Sequence, residues 1–176
     1  MKNTLLEQKT DKMATKDTNL SHFYKEEVPN AKGLRFGIVV SEWNRTITNN
    51  LYNGAYDTLI ECGANTTDIS RYDVSGSYEL VFGAKIAAKN KVDAIICLGS
   101  IIQGETKHFD FVCNAVAMGI KDLNISLPIP VIFGVLTDNT MQQAENRSGG
   151  KHGNKGVEAA ITAIKMAVLN SWYFSD

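Results

Sequence analysis

The sequence predicts an α/β protein built as a three-layer α/β/α sandwich around a four-stranded parallel sheet. Three observations carry this expectation. Short apolar runs rich in β-branched residues recur along the chain, as strands buried on both faces require. Segments with helical periodicity separate them, and repeated βα units imply parallel strands covered by helices on both faces. The 176 residues suffice for one domain with a real core.

The first strand is RFGIVV, residues 35–40. After the SEWN segment, Ile47, Leu51, Ala55 and Leu59 fall on one helical face, with Gly63 where a C-cap belongs. Residues 66–73 alternate weakly and read as a second strand; a helix follows over about 79–89. VDAIICLGS, residues 92–100, is the clearest strand pattern in the chain. A helix is expected from His108 to about Leu123, and Pro128 and Pro130 separate it from the strand PVIFGVLT. Two helices, about 140–147 and 155–170, complete the order β-α-β-α-β-α-β-α-α, with a break at Ser148-Gly149-Gly150. Residues 1–30 are polar and poor in periodic apolar positions, and are expected to form a mobile arm ahead of a single domain over 31–176. Within the arm, His22–Val28 is a candidate strand for pairing with a neighbour.

Composition excludes several function classes. A net charge of −1, with 44% hydrophobic and 21% charged residues, gives no basic field to collect nucleic acid. No apolar run approaches the roughly 20 residues of a membrane helix, and the N-terminus lacks the apolar stretch of a secretory signal, so the reading is cytoplasmic, with no membrane partner. Cys62, Cys97 and Cys113 match no metal knuckle or redox pair and read as small buried hydrophobes; His22, His108 and His152 are too scattered for a zinc site, so no metal is expected. No P-loop, GxGxxG fingerprint or nucleophile elbow is present.

Parallel sheets carry ligands beyond the carboxyl ends of their strands. That rule selects SEWN (41–44), SGSYE (75–79), GSIIQGETKH (99–108) and the residues after Phe133. Gly104-Glu105-Thr106 leads into a helix, whose first N–H groups attract anions; the same residues also suit a plain capped turn with Thr106 as N-cap. His108 lies in the first turn of that helix, and imidazole moves protons near neutrality, although a lone histidine also suits a surface. Trp43 can stack on a planar heterocycle or anchor the following helix. Ser77, Tyr78 and Glu79 occupy the second βα junction, where Glu79 can accept from ring N–H or hydroxyl groups or simply cap the helix. Arg147 can grip a phosphate with two parallel hydrogen bonds and Lys155 can add charge, or both can belong to a solvated basic loop.

Three pieces in order, LGSIIQGETKHFDFVCN, PVIFGVLT and GNKG, with compatible spacing over about residues 35–170, resemble the lumazine synthase family. The resemblance implies a flavodoxin-like fold and the condensation of 5-amino-6-(D-ribitylamino)uracil with 3,4-dihydroxy-2-butanone 4-phosphate to give 6,7-dimethyl-8-ribityllumazine. It implies no metal and no organic cofactor. Position by position, it implies that Trp43 stacks on the pyrimidine and that Ser77, Tyr78 and Glu79 hold the ribityl chain and ring edge. Ser100, Ile101 and Ile102 line the same pocket, Glu105 and Thr106 offer backbone N–H groups to the phosphate, and His108 transfers protons. Phe133 and Arg147 arrive from the adjacent subunit, against the ring and on the phosphate, with Lys155 a weaker addition. The resemblance further implies a homopentamer with sites between subunits. The short stretch from Arg147 to Asn154 resembles members whose pentamers build an icosahedral capsid, and riboflavin synthase is a candidate partner. Ser75, Val81 and Gln103 depart from the Pro, Pro and Arg that many members carry there. Two competing readings stay open: a non-catalytic lumazine- or flavin-binding shell or carrier, and a flavodoxin-like domain holding a ready-made phosphate ligand.

Overall fold

A computed structural model describes residues 19 and 21–174. Four strands form one sheet: β1 (Phe36–Ser41), β2 (Ile69–Val74), β3 (Ala94–Ile102) and β4 (Val131–Asp138). Their order is β2-β1-β3-β4 and every pairing is parallel. The chain therefore reverses its winding between β1 and β3, the two central strands. Both are buried almost throughout, which is why their sequences are continuous apolar runs rather than alternating ones.

Alternate side chains feed two cores. Phe36, Ile38 and Val40 of β1, Ile96 and Leu98 of β3, and Ile132 and Leu136 of β4 pack under α1 (Arg45–Glu61) and the last helix, α5 (Lys155–Phe174). Val39, Ile95, Cys97, Val131 and Val135 face α2 (Leu80–Ala87) and α3 (His108–Ser126) on the other side. This is the expected three-layer sandwich. α1 ends as its sequence foretells: Gly63 takes a φ of 105°, its N–H donates to Ile60 O, and the Ala64 N–H reaches back to Leu59 O at 3.0 Å. Asn124 of α3 holds the start of β4 by donating to Val131 O and accepting from Val131 N, at 2.7 and 2.9 Å.

Departures from expectation are local. β2 begins at Ile69 because Thr66–Asp68 form a single 3₁₀ turn, and α3 continues to Ser126. The expected break before α5 is a hairpin, in which β5 (Ser148–Gly150) pairs antiparallel with β6 (Gly153–Asn154). Gly149 and Gly153 adopt positive φ there. The arm expected over 1–30 falls mostly outside the described residues. Lys25–Glu27 form a 3₁₀ turn rather than a strand, Phe23 and Val28 pack on the α1–α5 core, and the Ser21 hydroxyl accepts from the Asn154 N–H at 2.8 Å.

α1 and α5 approach so closely that side chains are excluded. A Cβ on Gly156 would stand 1.9 Å from the Leu51 carbonyl oxygen, and one on Gly54 would overlap the Asn154 amide. The Asn154 side chain donates to Asn50 O and accepts from the Gly156 N–H, joining both helices and the hairpin. Gly156→Ala should therefore destabilise the fold by about 2–3 kcal/mol in chemical denaturation, overriding the helix propensity that alanine gains. An unchanged or raised midpoint would mean that the crossing is looser than described.

Candidate functional site

The sheet's winding leaves a crevice above the carboxyl ends of β1 and β3, and a cleft of about 520 Å³ opens there. Each flanking loop contributes. After β1 comes Trp43, whose side chain is 71% exposed, a large apolar surface with no cover in the single chain. Its neighbour Asn44 sits in the left-handed region at φ 56° and donates from Nδ2 to Ser100 O at 3.0 Å, joining the first loop to β3. After β2, Gly76 and Ser77 turn the chain so that Tyr78 and Glu79 stand at the start of α2. β3 supplies Ser100, Ile101 and Ile102, and the following segment supplies Gly104, Thr106 and His108.

Two properties suit this cleft to a polar, anionic ligand. The hydroxyls of Ser77 and Ser100 are buried without a hydrogen-bond partner among the described residues, although both residues line the cleft. Such groups are ordinarily satisfied, so they mark where a ligand's polar atoms belong. At the entry to α3, Lys107 makes no side-chain cap, and no described group accepts from the backbone N–H of Glu105, Thr106 or Lys107. Three unengaged amides at a helix start form an anion receptor. Thr106 does not serve as the N-cap; its hydroxyl accepts weakly from the His108 N–H at 3.4 Å. Glu105 is exposed and is not among the residues lining the cleft.

Gly99 explains how the second loop closes on β3. A Cβ there would meet the Ser77 hydroxyl at 2.7 Å and Leu80 Cδ1 at 2.9 Å. Phe109 and Val112 of α3 also line the cleft and were not singled out from the sequence; Val112 lies four residues beyond His108 and three beyond Phe109, within reach of both along the helix.

Phe133, Arg147 and Lys155 are not brought to this cleft. They line a second cavity of about 640 Å³, together with Asp138, Gln143, Asn146 and His152. Phe133 lies on the edge strand and is 37% exposed, although it shares the face of buried Val131 and Val135. Arg147 ends α4 (Met141–Arg147), a short helix capped by the Thr140 hydroxyl, which accepts from the Gln143 N–H. Its Nε lies 3.8 Å from Asp138 Oδ1. Asp138 is buried, and burial raises its carboxyl above the ordinary range, with Arg147 pulling the other way. Lys155 is engaged with Glu158. Asp138 and His152 carried no motif in the sequence and emerge only from the fold. All three cysteines are free; burial pushes the Cys97 thiol up to about 12, which suits a core residue and not a nucleophile.

Among the described residues, no helix is long and apolar enough to cross a membrane. Residues 33–171 match the family model described as 6,7-dimethyl-8-ribityllumazine synthase. The chain is 61% identical over 158 residues to a 6,7-dimethyl-8-ribityllumazine synthase of Flavobacterium johnsoniae, covering 89% of this chain and 83% of that protein. It is 58% identical to the protein of that name from Christiangramia forsetii, over 89% and 95% of the two chains. With that from Porphyromonas gingivalis it shares 52% identity over 89% and 98%.

The buried carboxylate gives a pH signature. An acid whose folded pKa is raised stabilises the fold fully below its unfolded pKa and loses that contribution as pH rises through the folded value. Asp138→Asn removes this dependence. The stability of the variant minus that of the parent should therefore grow as pH rises above the ordinary carboxylate range in urea unfolding; a difference that stays flat would contradict the burial cost assigned to Asp138.

Proposed function

The chain belongs to the 6,7-dimethyl-8-ribityllumazine synthase family, and from that premise we propose how its two cavities divide the work of one enzyme of riboflavin biosynthesis. The reaction condenses 5-amino-6-(D-ribitylamino)uracil with 3,4-dihydroxy-2-butanone 4-phosphate and releases phosphate and water. The observation that carries the residue assignments is a single cleft combining Trp43, two unpartnered serine hydroxyls and His108, with three free amides beside it at the entry to α3.

On this reading Trp43 stacks on the pyrimidine, with Ile101 and Ile102 as the wall beneath. Ser100 bonds the ring edge, and Ser77, Tyr78 and Glu79 hold the ribityl hydroxyls. The amides of Glu105 and Thr106 take the phosphate, with the Glu105 side chain turned outward. The amino group of the uracil then attacks the ketone. His108 carries the proton from the attacking nitrogen and returns it to the departing hydroxyl, so that water leaves and an imine forms. Elimination of phosphate follows, and ring closure with loss of a second water yields the lumazine. Holding two reactants in one pocket supplies much of the acceleration, since it removes the translational freedom of a bimolecular step.

Phe133 and Arg147, with Lys155 as a weaker contributor, complete a neighbour's cleft, Phe133 against the ring and Arg147 on the phosphate. Support comes from their lining a different cavity from His108 within one chain. Support for self-association comes from the exposed side chains Phe111, Met118 and Ile125, seven residues apart along α3, and Phe82 and Ile86 on α2. The assembly on this reading is a homopentamer, with an icosahedral capsid as its larger form. Residues 31–176 act as one domain behind the arm of residues 1–30, in the cytoplasm. Riboflavin synthase, which consumes the product, is the candidate partner.

Two variants test the assignments through lumazine fluorescence. His108→Ala should lower kcat about 10²–10⁴-fold without abolishing turnover. Arg147→Ala should raise the keto-phosphate KM by about tenfold or more, as loss of a charge-assisted hydrogen bond of roughly 1.5–3 kcal/mol implies. Well-folded, assembled protein that gives product only at the background rate would support a carrier or shell instead.

Mixing the two variants tests the shared site. Equal amounts unfolded and reassembled together should regain about a quarter of parental activity at keto-phosphate concentrations well below KM, because one interface in four pairs an intact His108 with an intact Arg147. No regain would place both residues in one subunit's site.

A further inference from the structure

Asp138 takes no part in the chemistry described above, yet it is the costliest residue in the second cavity. Its side chain is 8% exposed, and Oδ2 is buried with no partner among the described residues. Among the described residues its one charged partner is Arg147, at 3.8 Å from Nε to Oδ1, beyond hydrogen-bond range. A buried carboxylate held so loosely is a poor way to stabilise a fold, since desolvation outweighs a distant attraction.

We infer that Asp138 is a positioning residue for the phosphate grip: its carboxylate fixes the Nε edge of Arg147 and leaves the terminal guanidinium nitrogens free for the keto-phosphate. The inference rests on Arg147 contacting the phosphate, as proposed above. Both ends of the pair are held by backbone. Asp138 closes β4, where its carbonyl accepts from the Gln103 N–H at 2.9 Å, and the next residue, Asn139, donates its N–H to the Gln143 side chain of α4. Arg147 closes α4, against which the hairpin packs so tightly that a Cβ on Gly150 would lie 2.8 Å from Glu145 O. Between these anchors no described group accepts a hydrogen bond from the Arg147 guanidinium. Lys155, which lines the same cavity, does not compete for Asp138, because it is engaged with Glu158. A gap of 3.8 Å also lets the guanidinium shift onto a dianion while it keeps the attraction of the carboxylate.

The experiment compares Asp138→Asn, Asp138→Ala, Arg147→Ala and the Asp138→Asn/Arg147→Ala double variant in full-length, assembled enzyme, with inorganic phosphate as a competing ligand. Asp138→Ala should raise the keto-phosphate KM and weaken inhibition by phosphate about 5- to 10-fold, and Asp138→Asn somewhat less, because the amide dipole keeps part of the attraction for the guanidinium while losing the charge. The KM for the aminouracil should stay within about twofold. Because Asp138 acts through Arg147, the double variant should match Arg147→Ala alone. Additive effects, equal shifts in both KM values, or an Asp138→Asn protein that fails to assemble would overturn the inference while a raised KM in Arg147→Ala leaves the phosphate grip standing. An unchanged KM in Arg147→Ala would remove the grip itself, and this inference with it.

Discussion

Burial of β1 and β3 between two helical layers is the constraint on which the rest of the molecule depends. Parallel strands buried on both faces must run through the core and emerge together at one edge, and the chain's turn-back between β1 and β3 opens the crevice there. The polar groups of the cleft are therefore concentrated where the connections after β1, β2 and β3 meet. The same constraint forces glycine where a helix start must lie on a strand, as at Gly99, or where two helices of one layer must touch, as at Gly54 and Gly156. Side-chain volume is removed at these points so that chemistry can be placed at the edge.

Much of this was legible in the sequence because strands of this kind write themselves as unbroken apolar runs. The stretches FGIVV and AIICLGS could hardly be anything but central strands, and Gly63 marked the end of α1 by its position alone. Boundaries blurred where local turns replace regular structure: Thr66–Asp68 and the β5–β6 hairpin have no hydrophobic period to betray them. The cleft-lining residues were legible for a related reason, since sheet topology dictates which loops meet. Asp138 and His152 were not, because their significance lies in neighbours that only the folded α4 and hairpin provide.

The two cavities illustrate a limit of reading one chain. Nine of the singled-out residues share a cleft, while Phe133, Arg147 and Lys155 lie elsewhere. Edge strand β4 borders β3 alone, and Phe133 on it stays 37% exposed although Val131 and Val135 on the same face are buried. An aromatic on such an edge, left uncovered by its own α3, is useful only if something else arrives to cover it. The outward apolar stripe on α3 poses the same demand on a second surface.

The exposed indole at the cleft has an optical consequence. The chain holds two tryptophans, Trp43 and Trp172. α5 begins beside the second cavity, and Trp172 lies near its other end, about 25 Å along the helix axis at the usual helical rise. One emitter thus sits where a heterocycle would stack and quench it, while the other lines neither cavity. The protein contains both a signal and its internal standard, and selective replacement of either indole by phenylalanine would separate ligand-induced quenching from global changes in emission.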